Sequence, residues 1–171
     1  MATRLSLLAQ QHQKDAGAFR RDTLRPVLVW EAAPQERPKG ITLGTVSNYR
    51  QEPRAPDPLV FSILKRLKKV DAFPLGVTLG RMPSNDVLVD EPSVSRFHCF
   101  FQQDTQTGIW HVSDAESFNG TYCDGNRLVP SRPAPLGDRV ALRIGFIELL
   151  YLSPVGLEAY LTERRRKPPG T

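Results

Sequence analysis

The chain has 171 residues, 40% of them hydrophobic and 24% charged, with a formal net charge of +5. That length suits one core of about 100 to 150 residues with extensions, and the composition is that of a soluble globular protein. No apolar run approaches the ~20 residues that a membrane helix needs, so a membrane-spanning role is not expected.

The apolar opening of residues 1–9 gives way at once to Gln10, Gln11 and His12, too short for a signal-peptide core, so a cytoplasmic location is expected. The two cysteines, Cys99 and Cys123, form no Cys-x-x-Cys pair. This argues against a disulfide framework and a structural zinc site, and both read as buried thiols. Residues 59–153 carry ten Lys+Arg and ten Asp+Glu, so the excess charge lies at the two ends. That distribution argues against nucleic acid as the partner.

Over residues 3–21, Leu5, Leu8, His12, Ala16 and Phe19 recur at three- and four-residue steps, which predicts one short amphipathic helix. Such a helix either docks on the domain's own surface or binds a partner. Residues 27–30 and 41–43 are strand-like, but six prolines, from Pro26 to Pro58 inclusive, interrupt the region, so residues 1–58 read as an extension ending in a Pro-rich linker.

From residue 59 strand signals follow in close succession, at 59–67, 75–79, 87–89, 97–103, 109–113, 121–123, 127–129, 139–144 and 146–152, separated by turn residues. Many short strands at small intervals predict a β-sandwich over residues 59–153. Asp124-Gly125 is a hairpin signal, because both residues tolerate the positive φ of a primed two-residue turn. Residues 154–171 then predict a helix capped by Ser153 and opened by Pro154, with Leu157, Tyr160 and Leu161 on one face and a basic tail.

Three polar breaks carry the chemistry: Gly80-Arg81, Ser95-Arg96-Phe97-His98 and Asn119-Gly120-Thr121. Together with Asn85-Asp86, Trp110, Asp114 and Leu136-Gly137-Asp138, and in this order along a chain of short strands, they resemble the forkhead-associated (FHA) domain. The resemblance covers residues 59 to about 153. It implies an all-β sandwich of about eleven strands, here with short helical extensions at both ends, whose loops at one end bind phosphothreonine in an extended peptide.

The resemblance implies that Arg81, Ser95, Arg96 and Asn119 contact the phosphopeptide, with Gly80, His98, Gly120 and Thr121 as the scaffold beneath them. The chemistry suits these residue types. A phosphate brings up to two charges and several acceptor oxygens, which two guanidinium groups and a hydroxyl satisfy as fixed donors. Asn119 offers a donor and an acceptor to a peptide main chain. Phe118 departs from the short polar or basic residue common there, which leaves the preference beside the phosphothreonine open, and Asp138-Arg139 departs from the usual pair after the turn.

Other readings are weaker. Ser95 and His98 could be taken as nucleophile and base, but no acidic third member or glycine-flanked nucleophile turn accompanies them. His98, Cys99, His111 and Cys123 could be taken as metal ligands, but adjacent residues of a strand point to opposite faces. The basic cluster at Lys65, Arg66, Lys68 and Lys69 reads as a solvated strand end. The expectation is therefore a non-enzymatic module, without metal or cofactor, that binds a phosphothreonine-containing protein and links a Ser/Thr kinase, or its substrate, to signal transduction. The alternative is an assembly subunit whose sandwich makes phosphate-independent contacts.

Overall fold

The computed structural model describes residues 2–31, 57–66 and 73–166. Twelve strands and three helices occur among them. The strands are β1 (Ala2–Arg4), β2 (Val27–Trp30), β3 (Leu59–Ser62), β4 (Val77–Gly80), β5 (Val87–Leu88), β6 (Cys99–Gln103), β7 (Trp110–Asp114), β8 (Thr121–Cys123), β9 (Asn126–Arg127), β10 (Ala134–Leu136), β11 (Arg139–Ile144) and β12 (Ile147–Leu152). They form a seven-stranded sheet in the order β1-β3-β2-β12-β11-β8-β9 and a five-stranded sheet in the order β10-β7-β6-β4-β5.

Alternation along the strands makes the core. In β11 the burial pattern switches with every residue, sending Val140, Leu142 and Ile144 inward and Arg139 and Ala141 outward. Between the sheets these side chains meet Leu28, Phe61, Leu79, Phe101, Val112 and Tyr151 in one buried cluster. Full burial of each large apolar side chain contributes about 1.5–3 kcal/mol before the ordering cost, so this layer is what holds the two sheets face to face.

A second cluster sits on the outer face of the seven-stranded sheet. There Val29, Val60 and Leu152 are covered by Leu5 and Phe19 from the N-terminal helices α1 (Leu5–Lys14) and α2 (Ala16–Asp22), and by Leu157, Tyr160 and Leu161 of α3 (Pro154–Arg166). The expected face of α3 is therefore the buried one, and Ser153 Oγ accepts from the Gly156 N–H at 3.0 Å in the expected capping role. The N-terminal periodicity also packs on the domain's own surface.

Several elements differ from expectation for physical reasons. The single helix over residues 3–21 is instead a strand followed by two helices, because Asp15 is extended (φ −155°) and its carboxylate caps α2 by accepting from the Ala18 N–H at 2.8 Å. The seven-stranded sheet takes in β1 and β2 from the segment read as an extension; β2 is fully buried between β3 and β12. Strand β10 has no counterpart in the sequence reading because Pro133 and Pro135 remove two donors, and it is tolerated at the edge of its sheet, where only β7 is paired.

Strand β3 stops at Ser62, short of the expected run over 59–67, and Lys65 and Arg66 turn toward Asp86. Lys65 is thus an ion-pairing residue, its ammonium 3.1 Å from Asp86 Oδ2, and not a freely solvated one. Cys99 is buried, whereas Cys123 is only half-buried. The expected turn at Asp124-Gly125 is present, with φ values of 47° and 82°. The expected strand over 41–43, most of the Pro-rich stretch, Lys68, Lys69 and the tail after residue 166 lie outside the described residues.

Candidate functional site

At one end of the sandwich the loops after β4, before β6 and before β8 meet. Gly80 ends β4, and a Cβ there would stand 2.3 Å from the Arg96 carbonyl oxygen, so only glycine permits this approach. The Arg81 N–H then donates to the Ser95 carbonyl at 2.9 Å. The buried Asn85 side chain donates to the Met82 carbonyl at 2.9 Å and to the Arg96 carbonyl at 2.6 Å, fastening the two loops side by side.

His98 joins the third loop to these two. Its Nδ1 accepts the Ser95 backbone N–H at 3.0 Å, so the ring proton resides on Nε2, which faces the Gly120 carbonyl at 3.2 Å. Beneath the third loop the buried Asp114 carboxylate accepts from Ser117 Oγ and Thr121 Oγ1, both at 2.6 Å, and from the Ser117 N–H at 3.0 Å. Gly120, with φ 81°, makes the bend between Asn119 and β8.

Burial pushes the His98 pKa below the usual 6.5, and this outweighs the bond to Gly120 and the charge of Asp114. A histidine with a lowered folded pKa contributes stability that is present above the unfolded value and lost as pH falls below it. The melting temperature should therefore decline as pH drops from about 6.5 toward 5. A His98→Gln variant, followed by circular dichroism melts over that range, should lose this slope. A wild-type curve flat across it would contradict the buried neutral ring.

The upper surface of this scaffold is a depression of about 810 Å³ lined by Arg81, Ser95, Arg96 and Asn119, with Met82 and Phe118 beside them. Arg81 Nε is anchored on the Val94 carbonyl at 3.2 Å, which aims an exposed guanidinium. Ser95 Oγ accepts the Phe118 N–H at 3.0 Å, so its own hydrogen is left to donate elsewhere. Asn119 Nδ2 donates to the Ser93 carbonyl at 2.8 Å, which fixes the carboxamide plane. Arg96 is exposed, and Phe118 is 90% exposed.

All four contact candidates thus line one depression, while Gly80, His98, Gly120 and Thr121 lie beneath it. Two guanidinium groups, a hydroxyl and a carboxamide on rigid loops suit recognition of a multiply charged oxyanion. They do not suit nucleophilic attack, because His98 receives the backbone N–H of Ser95 and not its hydroxyl. Among the described residues no three His, Cys, Asp or Glu side chains come together in a way that would hold a metal. Ser93 is a member of the site that carried no sequence signal, since it acts through its backbone carbonyl. Asn85 and Asp114 belonged to the motif pattern, but their work as fasteners is visible only in the hydrogen bonds.

Residues 77–145 match the family model described as FHA domain. Curated relatives include an uncharacterized protein of Caenorhabditis elegans, 32% identical over an alignment 108 residues long, which covers 54% of this chain and 14% of that protein. Another is the oxoglutarate dehydrogenase inhibitor of Corynebacterium diphtheriae, 33% identical over 75 residues, 44% of this chain and 49% of that one. The chain spans about half, or much less, of the length of these relatives. A similar solved structure is the FHA domain of a Chlamydia trachomatis protein, with 16% identity, a TM-score of 0.48 and coverage of 75% of this chain and 97% of that one.

Proposed function

We propose, from the FHA match over residues 77–145 and the depression those residues form, that this chain is a non-enzymatic module that binds phosphothreonine in a partner protein. What supports the reading is the convergence of Arg81, Ser95, Arg96 and Asn119 on that one depression. In it the two guanidinium groups neutralise the phosphate, the Ser95 hydroxyl donates to one of its oxygens, and Asn119 holds the peptide main chain. The module then joins a protein modified by a Ser/Thr kinase to whatever else the chain carries, inside the cell where such kinases act. No helix among the described residues is long and apolar enough to cross a membrane, which is compatible with that setting.

Three charge-assisted hydrogen bonds at about 1.5–3 kcal/mol each, less the cost of ordering a flexible peptide, correspond to affinity on the order of micromolar. Fluorescence polarisation against a phosphothreonine peptide library should find micromolar binders whose unphosphorylated twins do not bind. A library in which no phosphothreonine peptide binds, or in which the phosphate makes no difference, overturns the reading in favour of phosphate-independent assembly contacts.

A further inference from the structure

Beyond Asn119 the surface turns from the loops onto the open half of the outer face of the seven-stranded sheet. The register pairs Tyr122 with Arg127 of β9 on one side and with Arg143 of β11 on the other, so the three side chains form one row on one face. That face is the outward one, since Thr121, Leu142 and Ile144 of the neighbouring rows are buried in the core. The helices cover the other half of the face, over Val29, Val60 and Leu152, and leave this row uncovered.

The row is built around the Tyr122 ring. The guanidinium carbon of Arg143 lies 3.4 Å from its centroid and that of Arg127 lies 6.0 Å away, both within cation–π range. Arg143 Nη1 also donates to the Gly145 carbonyl at 3.0 Å, so this guanidinium is held at two points. Among the described residues neither arginine forms an ion pair; Glu148 stands opposite Arg143 in the register without one. By contrast Arg20, Arg139 and Arg164 each hold a glutamate.

The row also touches the candidate site. A Cβ on Gly120 would stand 2.8 Å from Arg127 Nε, which puts this guanidinium against the residue that follows Asn119. An extended peptide advances about 3.3 Å per residue, so a segment held at Asn119 reaches the row within a few residues. We infer that Arg127 and Arg143, set around Tyr122, form a second anion-recognising subsite for an acidic or phosphorylated side chain a few residues from the phosphothreonine of the same partner segment. The inference rests on the phosphothreonine reading and extends it: the partner segment is doubly anionic.

Polarisation titrations with three sets of phosphothreonine peptides test this, carrying alanine, glutamate or phosphoserine two to four residues from the phosphothreonine on either side. In wild-type protein one anionic placement should bind about tenfold tighter than alanine, the size expected of a charge-assisted contact. In Arg127→Gln/Arg143→Gln that gain should vanish while the alanine peptide binds as before. Arg127→Gln alone, at an exposed position, should cut the gain at least threefold and keeps the test decisive if the double variant does not fold. A gain from phosphoserine alone makes the subsite one for phosphate, and a gain shared with glutamate makes it one for anions in general. Wild-type protein that binds the phosphothreonine peptides without gain from any anion, or a gain that survives in the variants, overturns the subsite alone. Wild-type protein that ignores every phosphothreonine peptide overturns the underlying reading and the subsite with it.

Discussion

Replacing Arg81 with alanine should weaken phosphothreonine-peptide binding about 10- to 150-fold and leave the fold intact, the range that follows from losing one charge-assisted bond of about 1.5–3 kcal/mol. The guanidinium is exposed and, among the described residues, gives the fold only the bond from Nε to the Val94 carbonyl. Its loss should cost about 1 kcal/mol of stability at most. Arg81→Lys should rescue little, since a point charge cannot reproduce a planar fork of donors. Ser95→Ala should also weaken binding, but with a structural share, because it strips the Phe118 N–H of its acceptor. Paired titrations and thermal melts separate the two effects. Unchanged affinity in Arg81→Ala would remove this residue from the site, and a melting temperature lowered by more than about 8 °C would make it a structural residue first.

The split between what the chain spells out and what only packing decides follows from the range of each interaction. The hairpin at Asp124-Gly125 is legible because positive φ is a property of the two residues themselves. The period of β11 and the buried face of α3 are legible because each element reports its own burial. The place of β2 is not, since Val27–Trp30 reads as a strand while its partners Leu59–Ser62 and Ile147–Leu152 lie far along the chain, beyond a run of prolines. The break at Asp15 is decided by one side chain capping a helix that the apolar spacing carries straight through. In the site, motif residues such as Arg81 and Asn119 can be named from their order and spacing, but Ser93 and Val94 act through carbonyls that any residue would supply. Lys65 illustrates the same limit, for its basic cluster looks solvated until the loop that carries Asp86 folds back over it.

Removing that carboxylate should have the largest effect on stability. The Asp86 side chain is fully buried, and its two oxygens accept from Lys65 Nζ at 3.1 Å, the Thr78 N–H at 2.9 Å, Thr78 Oγ1 at 3.0 Å and the Arg66 N–H at 3.0 Å. It therefore ties β4 to the segment after β3, and through its neighbour Asn85 it sets the loop that carries Arg81. Asp86→Ala leaves a half-buried ammonium and two backbone donors without this acceptor, a loss of about 3–5 kcal/mol against a total of about 5–15 kcal/mol for a domain. Asp86→Asn keeps the shape and one acceptor oxygen and should fall between. Lys65→Met combined with Asp86→Asn should be less damaging than the two single losses added together, because the ammonium no longer needs a counter-charge. Urea denaturation of the wild type, the three single variants (Asp86→Ala, Asp86→Asn and Lys65→Met) and the double variant gives these differences directly. A loss below about 1 kcal/mol in Asp86→Ala would mean that water replaces the carboxylate at little cost, and the tie between β4 and the segment after β3 would have to be sought in apolar packing instead.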